Sequence, residues 1–267
     1  MPRCVVLYYH SVRGQERVRF ARQMDCLLRW RKPLKADDIV PAEASGNSVV
    51  ITFDDGFQSL IENALPELEK RALPATIFVP SLYLGCSPGW HFNEGCRDQQ
   101  ERVVTGAQLR RLAAGPFTIG SHTATHPHLG DLSDDEARRE FVNSKVHLEK
   151  ASGKPVELLS FPYGECDHRL IELARRCGYK RVFTTQPSTN SFRQGEFVIG
   201  RVNVSPNDSL LKFQLKLLGG YAWLPAARAM KRKVLVRWQK LVEQASFLRQ
   251  RLVSGAATPA RISDEGL

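Results

Sequence analysis

No stretch of the 267-residue chain approaches the roughly 18 consecutive apolar residues that a membrane-spanning helix needs. No secretory leader is expected at the N-terminus either. Cys4-Val5-Val6-Leu7-Tyr8-Tyr9 is apolar for six residues only, runs straight into His10 and has no small-residue cleavage site. Together these absences set a cytoplasmic location as the expectation, with the inner membrane face as the peripheral variant. The six cysteines form no C-x-x-C pair and no zinc-ribbon spacing, so no redox dithiol or structural zinc knuckle is written into the chain. Buried free thiols are expected for most of them, although Cys86 and Cys96 flank a loop and an oxidising compartment would let them pair. There is no internal repeat. No recognised nucleic-acid module is present, so no nucleic-acid partner is expected.

What is present is an ordinary globular composition, 42% hydrophobic and 25% charged, with a formal charge of +10. Such a balance suits an anionic partner without choosing one. Part of the excess is local, since residues 228–251 hold eight Lys or Arg against the single acid Glu243. Met230, Val234, Leu235, Trp238, Leu241 and Val242 recur there at near-helical spacing. That pattern fits a packed helix with a solvated face, or peripheral docking on an anionic membrane.

Along the chain, β-like and helical patterns alternate. Strands are expected at 5–9, 48–53, 75–79, 117–120, 157–161, 181–184 and 197–202. Helices are expected at about 16–31, 60–73, 133–152 and 168–177. Thr105-Gly-Ala-Gln108 and Ser133-Asp-Asp-Glu136 read as capping boxes that open helices. Residues 80–104 form a long irregular segment of the kind that is usually functional or disordered. The alternation predicts parallel strands wrapped by helices, as a barrel or an open sheet, and both place functional residues at the C-terminal strand ends. His10, Asp54-Asp55, His122 to His128 and Pro162-Tyr163 all fall at such ends. Beyond about residue 206 the pattern changes to a helical, basic extension (207–252) and a tail expected to be disordered (253–267).

Two adjacent carboxylates at the end of Ser48–Phe53, followed by Gly56, are ordinary turn chemistry taken alone. They also repel each other unless something binds them. His122 and His126, four apart after another strand of the same face, have the spacing that lets two imidazoles meet one ion. Two His and one carboxylate with open positions is the ligand set of a hydrolytic zinc site.

Thr52-Phe53-Asp54-Asp55-Gly56, Ser121-His122-Thr-Ala-Thr-His126-Pro-His-Leu129 and Phe161-Pro162-Tyr163-Gly164 together resemble the polysaccharide deacetylases, the NodB-homology or carbohydrate esterase family 4. The likeness spans roughly residues 4–205. It implies a distorted (β/α)7-type barrel and a divalent cation, Zn2+ by preference, held by Asp55, His122 and His126. It implies further that Asp54 takes the proton of the attacking water, with the Tyr163 backbone N–H holding the oxyanion and Pro162 fixing that turn. The substrate implied is an N-acetylated glycan; Trp90 and Tyr163 are candidates to stack on sugar faces, with a core or loop-packing role as the alternative for Trp90.

Two departures stand out. Ser160 occupies the position where the family usually carries an arginine, and the late histidine that acts as general acid is missing from the final strand. Tyr8-Tyr9-His10-Ser11-Val12 is similar to the N-terminal motif of a permuted subset that includes poly-N-acetylglucosamine deacetylases, which implies His10 as the acid. Arg201 is expected to stand in for the missing arginine by pairing with Asp54, with a plain surface arginine as the alternative, and it is counted with Pro162 and Trp90 on the substrate-binding side. The alternatives are a hydrolase of another carbon–nitrogen amide bond and a glycan-binding pseudoenzyme.

Overall fold

The computed structural model describes residues 4–38, 47–92, 94–188, 190, 192 and 195–220. The basic segment 228–251 and the tail 253–267, with the expectations attached to them, lie outside the described residues.

Strands β1 (Cys4–Tyr9), β2 (Lys32–Pro33), β3 (Ser48–Phe53), β4 (Ala75–Val79), β5 (Phe117–Ser121), β6 (Leu158–Ser160), β7 (Arg181–Thr184), β8 (Val198–Gly200) and β9 (Val202–Asn203) form one sheet in the order 8-7-6-5-4-3-1-9, with β2 beside the start of β3. Every named pair is parallel. β8 pairs with β7 at one edge and β9 with β1 at the other, and one residue, Arg201, separates them in the chain. The expected last strand therefore breaks in two at Arg201 and joins the two edges. The result is a nearly closed parallel barrel, one of the two arrangements the alternation left open and the one the family resemblance implies.

Both faces of these strands are buried, as their near-continuous apolar sequences require. Val5, Leu7, Tyr9, Val49, Ile51 and Phe53 point outward into the layer shared with the helices. Cys4, Val6, Val50, Phe78, Leu158, Phe183 and Ile199 pack together in a second cluster, the barrel interior. The period-2 alternation sorts these two sets. Nearer the C-terminal end the interior turns polar, with Thr52, Ser160 and Arg201 all fully buried.

The helices are α1 (Arg17–Trp30), α2 (Leu65–Glu69), α3 (Gly106–Ala114), α4 (Asp134–Ser152), α5 (His168–Arg176) and α6 (Leu210–Leu217). Both expected capping boxes form, at Thr105/Gln108 and Ser133/Glu136. The helix expected over 60–73 is shorter, because a π-helical turn at Leu60–Ala64 precedes a five-residue α2 with Pro66 in its first turn. α6 buries Phe213 and Leu217 in the same apolar layer as α1. All six cysteines are free thiols, and only Cys4 and Cys26 are buried, so the expectation of mostly buried thiols does not hold. No helix of the described residues is long and apolar enough to cross a membrane.

Candidate active site

Parallel register collects the chemistry at one end of the barrel. Tyr9 pairs with Phe53, so His10 and Asp54 leave adjacent strands at the same level, and the Asp54 N–H extends the ladder to Tyr9 O at 2.9 Å. The His122 N–H does the same to Val79 O at 3.0 Å. Each motif then turns sharply. Asp55, Thr123, His126 and Tyr163 all have positive φ (67°, 65°, 57° and 57°), a costly conformation for residues with a Cβ that clusters at functional sites. Gly56 continues the first of these turns at φ 59°, where a Cβ would lie 2.9 Å from Val79.

The loop that carries the two histidines is held from several sides. Thr123 Oγ1 donates to His122 O and accepts from the His126 N–H. The Glu140 carboxylate on α4 accepts from the N–H groups of Ala124 and Thr125 and from the Thr125 hydroxyl. His122 Nδ1 lies 2.8 Å from Ser160 O, an acceptor, so this nitrogen carries the proton and Nε2 is left as the ligand atom. Trp90 stacks on the His126 ring at 4.7 Å and on Phe57 at 6.2 Å.

His122 Nε2 and His126 Nε2 stand 3.5 and 3.4 Å from Asp55 Oδ1, and all three ligand atoms lie within 4.8 Å of one another. Asp55 Oδ1 is buried and makes no hydrogen bond among the described residues. A separation of 3.4–3.5 Å matches the ~3.4 Å expected between two donors each about 2.1 Å from a tetrahedral ion. Electrostatics agrees with that fit. Burial, then His122, pushes the His126 imidazole down to about 2, and burial lowers His122 to about 4, so both are neutral ligands at neutral pH. Burial and the neighbouring Asp54 and Asp98 carboxylates push Asp55 well above the usual carboxylate range, a strain that a bound cation would relieve. The residues present fit a divalent cation.

Asp54 is treated differently. Burial alone would raise it, yet the Arg201 guanidinium holds it down to about 2. Arg201 Nη1 and Nη2 donate to Asp54 Oδ1 and Oδ2 at 2.7 and 2.8 Å, and Nη2 also donates to Ser160 Oγ at 2.7 Å. Ser160 thereby meets the arginine that comes from the β8–β9 junction, where the barrel closes. One expectation is corrected here. Arg201 has no exposed surface and does not line the cavity, so it supports a carboxylate instead of touching a ligand. Pro162 is likewise buried and off the cavity wall.

Above these groups lies a cavity of about 480 Å³. His10, Asp54, Asp55, His122, His126, Trp90 and Tyr163 line it, together with His128 of the second motif and Asp98, which no motif marks. Asp98 Oδ1 accepts from Ser11 Oγ and Arg13 Nη2 at 2.7 and 2.9 Å, tying the long 80–104 loop to the exit of β1. At the third motif the Gly164 and Glu165 N–H groups donate back to Phe161 and Pro162, whereas the Tyr163 N–H has no partner among the described residues. Gly164 follows at φ 73°, where any Cβ would collide with Thr185 Oγ1.

A parallel barrel whose strand ends gather an Asp-His-His donor set, a second ion-paired carboxylate and a histidine in one cavity has the make-up of a hydrolase site. The polysaccharide deacetylase family model matches residues 42–182, and the chain belongs to that family. It is 27% identical over 215 residues to YxkH of Bacillus subtilis, a protein named for the same family, covering 76% of this chain and 72% of that one. It is 26% identical over 170 residues to the poly-beta-1,6-N-acetyl-D-glucosamine N-deacetylase of Staphylococcus epidermidis, covering 61% of this chain and 56% of that enzyme's length. The structure of IcaB from Ammonifex degensii superimposes with a TM-score of 0.66 at 24% identity, over 83% of this chain and 97% of that one, a likeness of fold.

Proposed function

We propose that the protein is a metal-dependent N-deacetylase that hydrolyses N-acetyl groups on the amino sugars of a polymeric glycan and releases acetate. The observation that carries this reading is the buried Asp55 Oδ1, without a hydrogen bond among the described residues and facing two neutral imidazoles, beside an Asp54 whose two oxygens are both paired. The two adjacent carboxylates thus have opposite needs, and only one of them wants a cation. Zn2+ suits a two-His, one-carboxylate set and would supply Lewis-acid polarisation of the acetamide carbonyl when bound.

The chain's own residues divide the remaining work. Asp54 stays ionised across the physiological range and accepts the proton of the attacking water. The Tyr163 N–H is the donor for the developing oxyanion. His10, on the same cavity wall, gives a proton to the leaving amine. Trp90 keeps the His126 ring in place and closes one side of the cavity. The name of the Staphylococcus epidermidis relative supports a poly-N-acetylglucosamine-like substrate as the first to try.

The test is acetate release from N-acetylglucosamine oligomers by the wild type, Asp54→Asn and His10→Ala. Turnover lost in Asp54→Asn and sharply reduced in His10→Ala supports the assignment. Full activity in His10→Ala would remove the acid role and leave the rest standing.

A further inference from the structure

At the cavity rim, His128 and Tyr163 form a two-ring plate that the division of catalytic work above leaves without a use for His128. Their rings stack at 4.0 Å and 7°. The plate is fixed at both ends. Glu165 Oε1 lies 2.8 Å from His128 Nδ1, and the Tyr163 hydroxyl donates to His91 O at 3.1 Å. Its inner edge abuts the donor set, since the Tyr163 ring meets His126 edge-on at 4.7 Å. The His128 side chain remains 45% exposed while the Asp55 and histidine ligands are 3–5% exposed, so plate and donor set occupy the mouth and the floor of one cavity.

A carboxylate can only accept, so the bond to Glu165 puts a ring proton on His128 Nδ1 and, in the neutral ring, leaves Nε2 as an acceptor. Nε2 has no partner among the described residues. Holding an exposed imidazole in one rotamer against an aromatic ring costs side-chain freedom, and a rim histidine with only a packing role has no need of the carboxylate. An oriented acceptor beside a flat aromatic surface matches one class of ligand, a pyranose ring that offers an apolar face and equatorial hydroxyls.

We infer that His128, oriented by Glu165 and backed by Tyr163, is a substrate-positioning residue that accepts a hydrogen bond from a hydroxyl of the sugar unit next to the one being deacetylated. This rests on the deacetylase reading and adds a subsite to it. A group at the mouth binds the neighbouring unit equally in ground and transition states, so its loss falls on KM and only for substrates long enough to reach it.

The experiment compares wild type, His128→Ala, His128→Asn and Glu165→Ala on the N-acetylglucosamine monomer and pentamer, with metal content measured on the same samples. The expected result is a pentamer KM raised about tenfold, the effect of losing one good hydrogen bond, in His128→Ala and Glu165→Ala, with kcat changed less than twofold. His128→Asn, which keeps an acceptor, recovers part of the loss, and metal stoichiometry stays at the wild-type value. An unchanged pentamer KM, or an equal loss on monomer and pentamer, overturns the subsite. Absence of turnover by the wild type on every N-acetylated oligomer overturns the deacetylase reading instead, which separates the two failures.

Discussion

Arg201 and Asp54 lie 147 positions apart and meet through two hydrogen bonds of 2.7 and 2.8 Å inside the barrel mouth. The arginine comes from the single residue that separates the two halves of the last strand, so the same position closes the barrel and holds the carboxylate. It is buried beneath the rings of Tyr8, Phe78 and Phe183. Replacing it with methionine leaves a buried charge unpaired, which typically costs about 3–5 kcal/mol. Arg201→Met is therefore expected to unfold at lower urea and to lose at least about 100-fold in acetate release, since Asp54 would then rise toward protonation. The double variant Arg201→Met/Asp54→Asn removes both charges and should regain much of the stability with none of the activity.

Asp55 predicts the opposite sign. In the metal-free protein its carboxylate is buried, is repelled by the neighbouring Asp54 and has an oxygen with no hydrogen-bond partner among the described residues. Asp55→Asn removes that burden, so metal-free Asp55→Asn should melt about 3 °C above the metal-free wild type. It should also fail to retain a metal ion through gel filtration, and the wild type should regain the advantage once loaded. Differential scanning calorimetry with and without chelator reads both halves.

Trp90 tests the support of the donor set. It stacks on His126 while Phe57 backs it. Trp90→Ala should fold and should hold its metal about tenfold less tightly, the usual range for a residue that orients a ligand. Competition with a chromophoric chelator measures the change.

Much of this arrangement is legible before any coordinates. The alternation of strands and helices is long enough to predict parallel strands wrapped by helices, though not to choose a barrel over an open sheet, and the capping boxes at Thr105 and Ser133 sit where the chain places them. Asp54-Asp55 and His122/His126 are visible because each lies at the end of a clear strand. Ser160 and Arg201 read from the sequence as a loss and its replacement, yet the same reading puts Arg201 on the substrate side when it is wholly buried. That error is physical in origin, since no local pattern says that the last strand breaks and turns one side chain inward. Glu140 and Asp98 carry no periodic or motif signal at all. Their roles arise only when α4 meets the histidine loop and the 80–104 segment meets β1.

The pH dependence of stability has a contribution far from the site. Asp208 precedes α6; burial alone would raise its carboxyl, but hydrogen bonds from Lys212 and Lys216 and from the Ser205 N–H hold it below the ordinary range. A depressed carboxyl stabilises the fold above its unfolded value, near pH 4, and the contribution fades as pH drops through the lower, folded value. Asp208→Asn should therefore melt well below the wild type at pH 7, and the gap should close toward pH 3. A gap that widens in acid would contradict the assignment.

The most direct measurement removes the metal and returns it. Protein stripped with a chelator and dialysed is titrated with Zn2+ while acetate release from an N-acetylglucosamine pentamer is followed. Activity should be absent in the stripped protein and rise linearly to a plateau at one ion per chain, with His126→Ala silent throughout. Undiminished acetate release by the fully stripped protein would contradict the account.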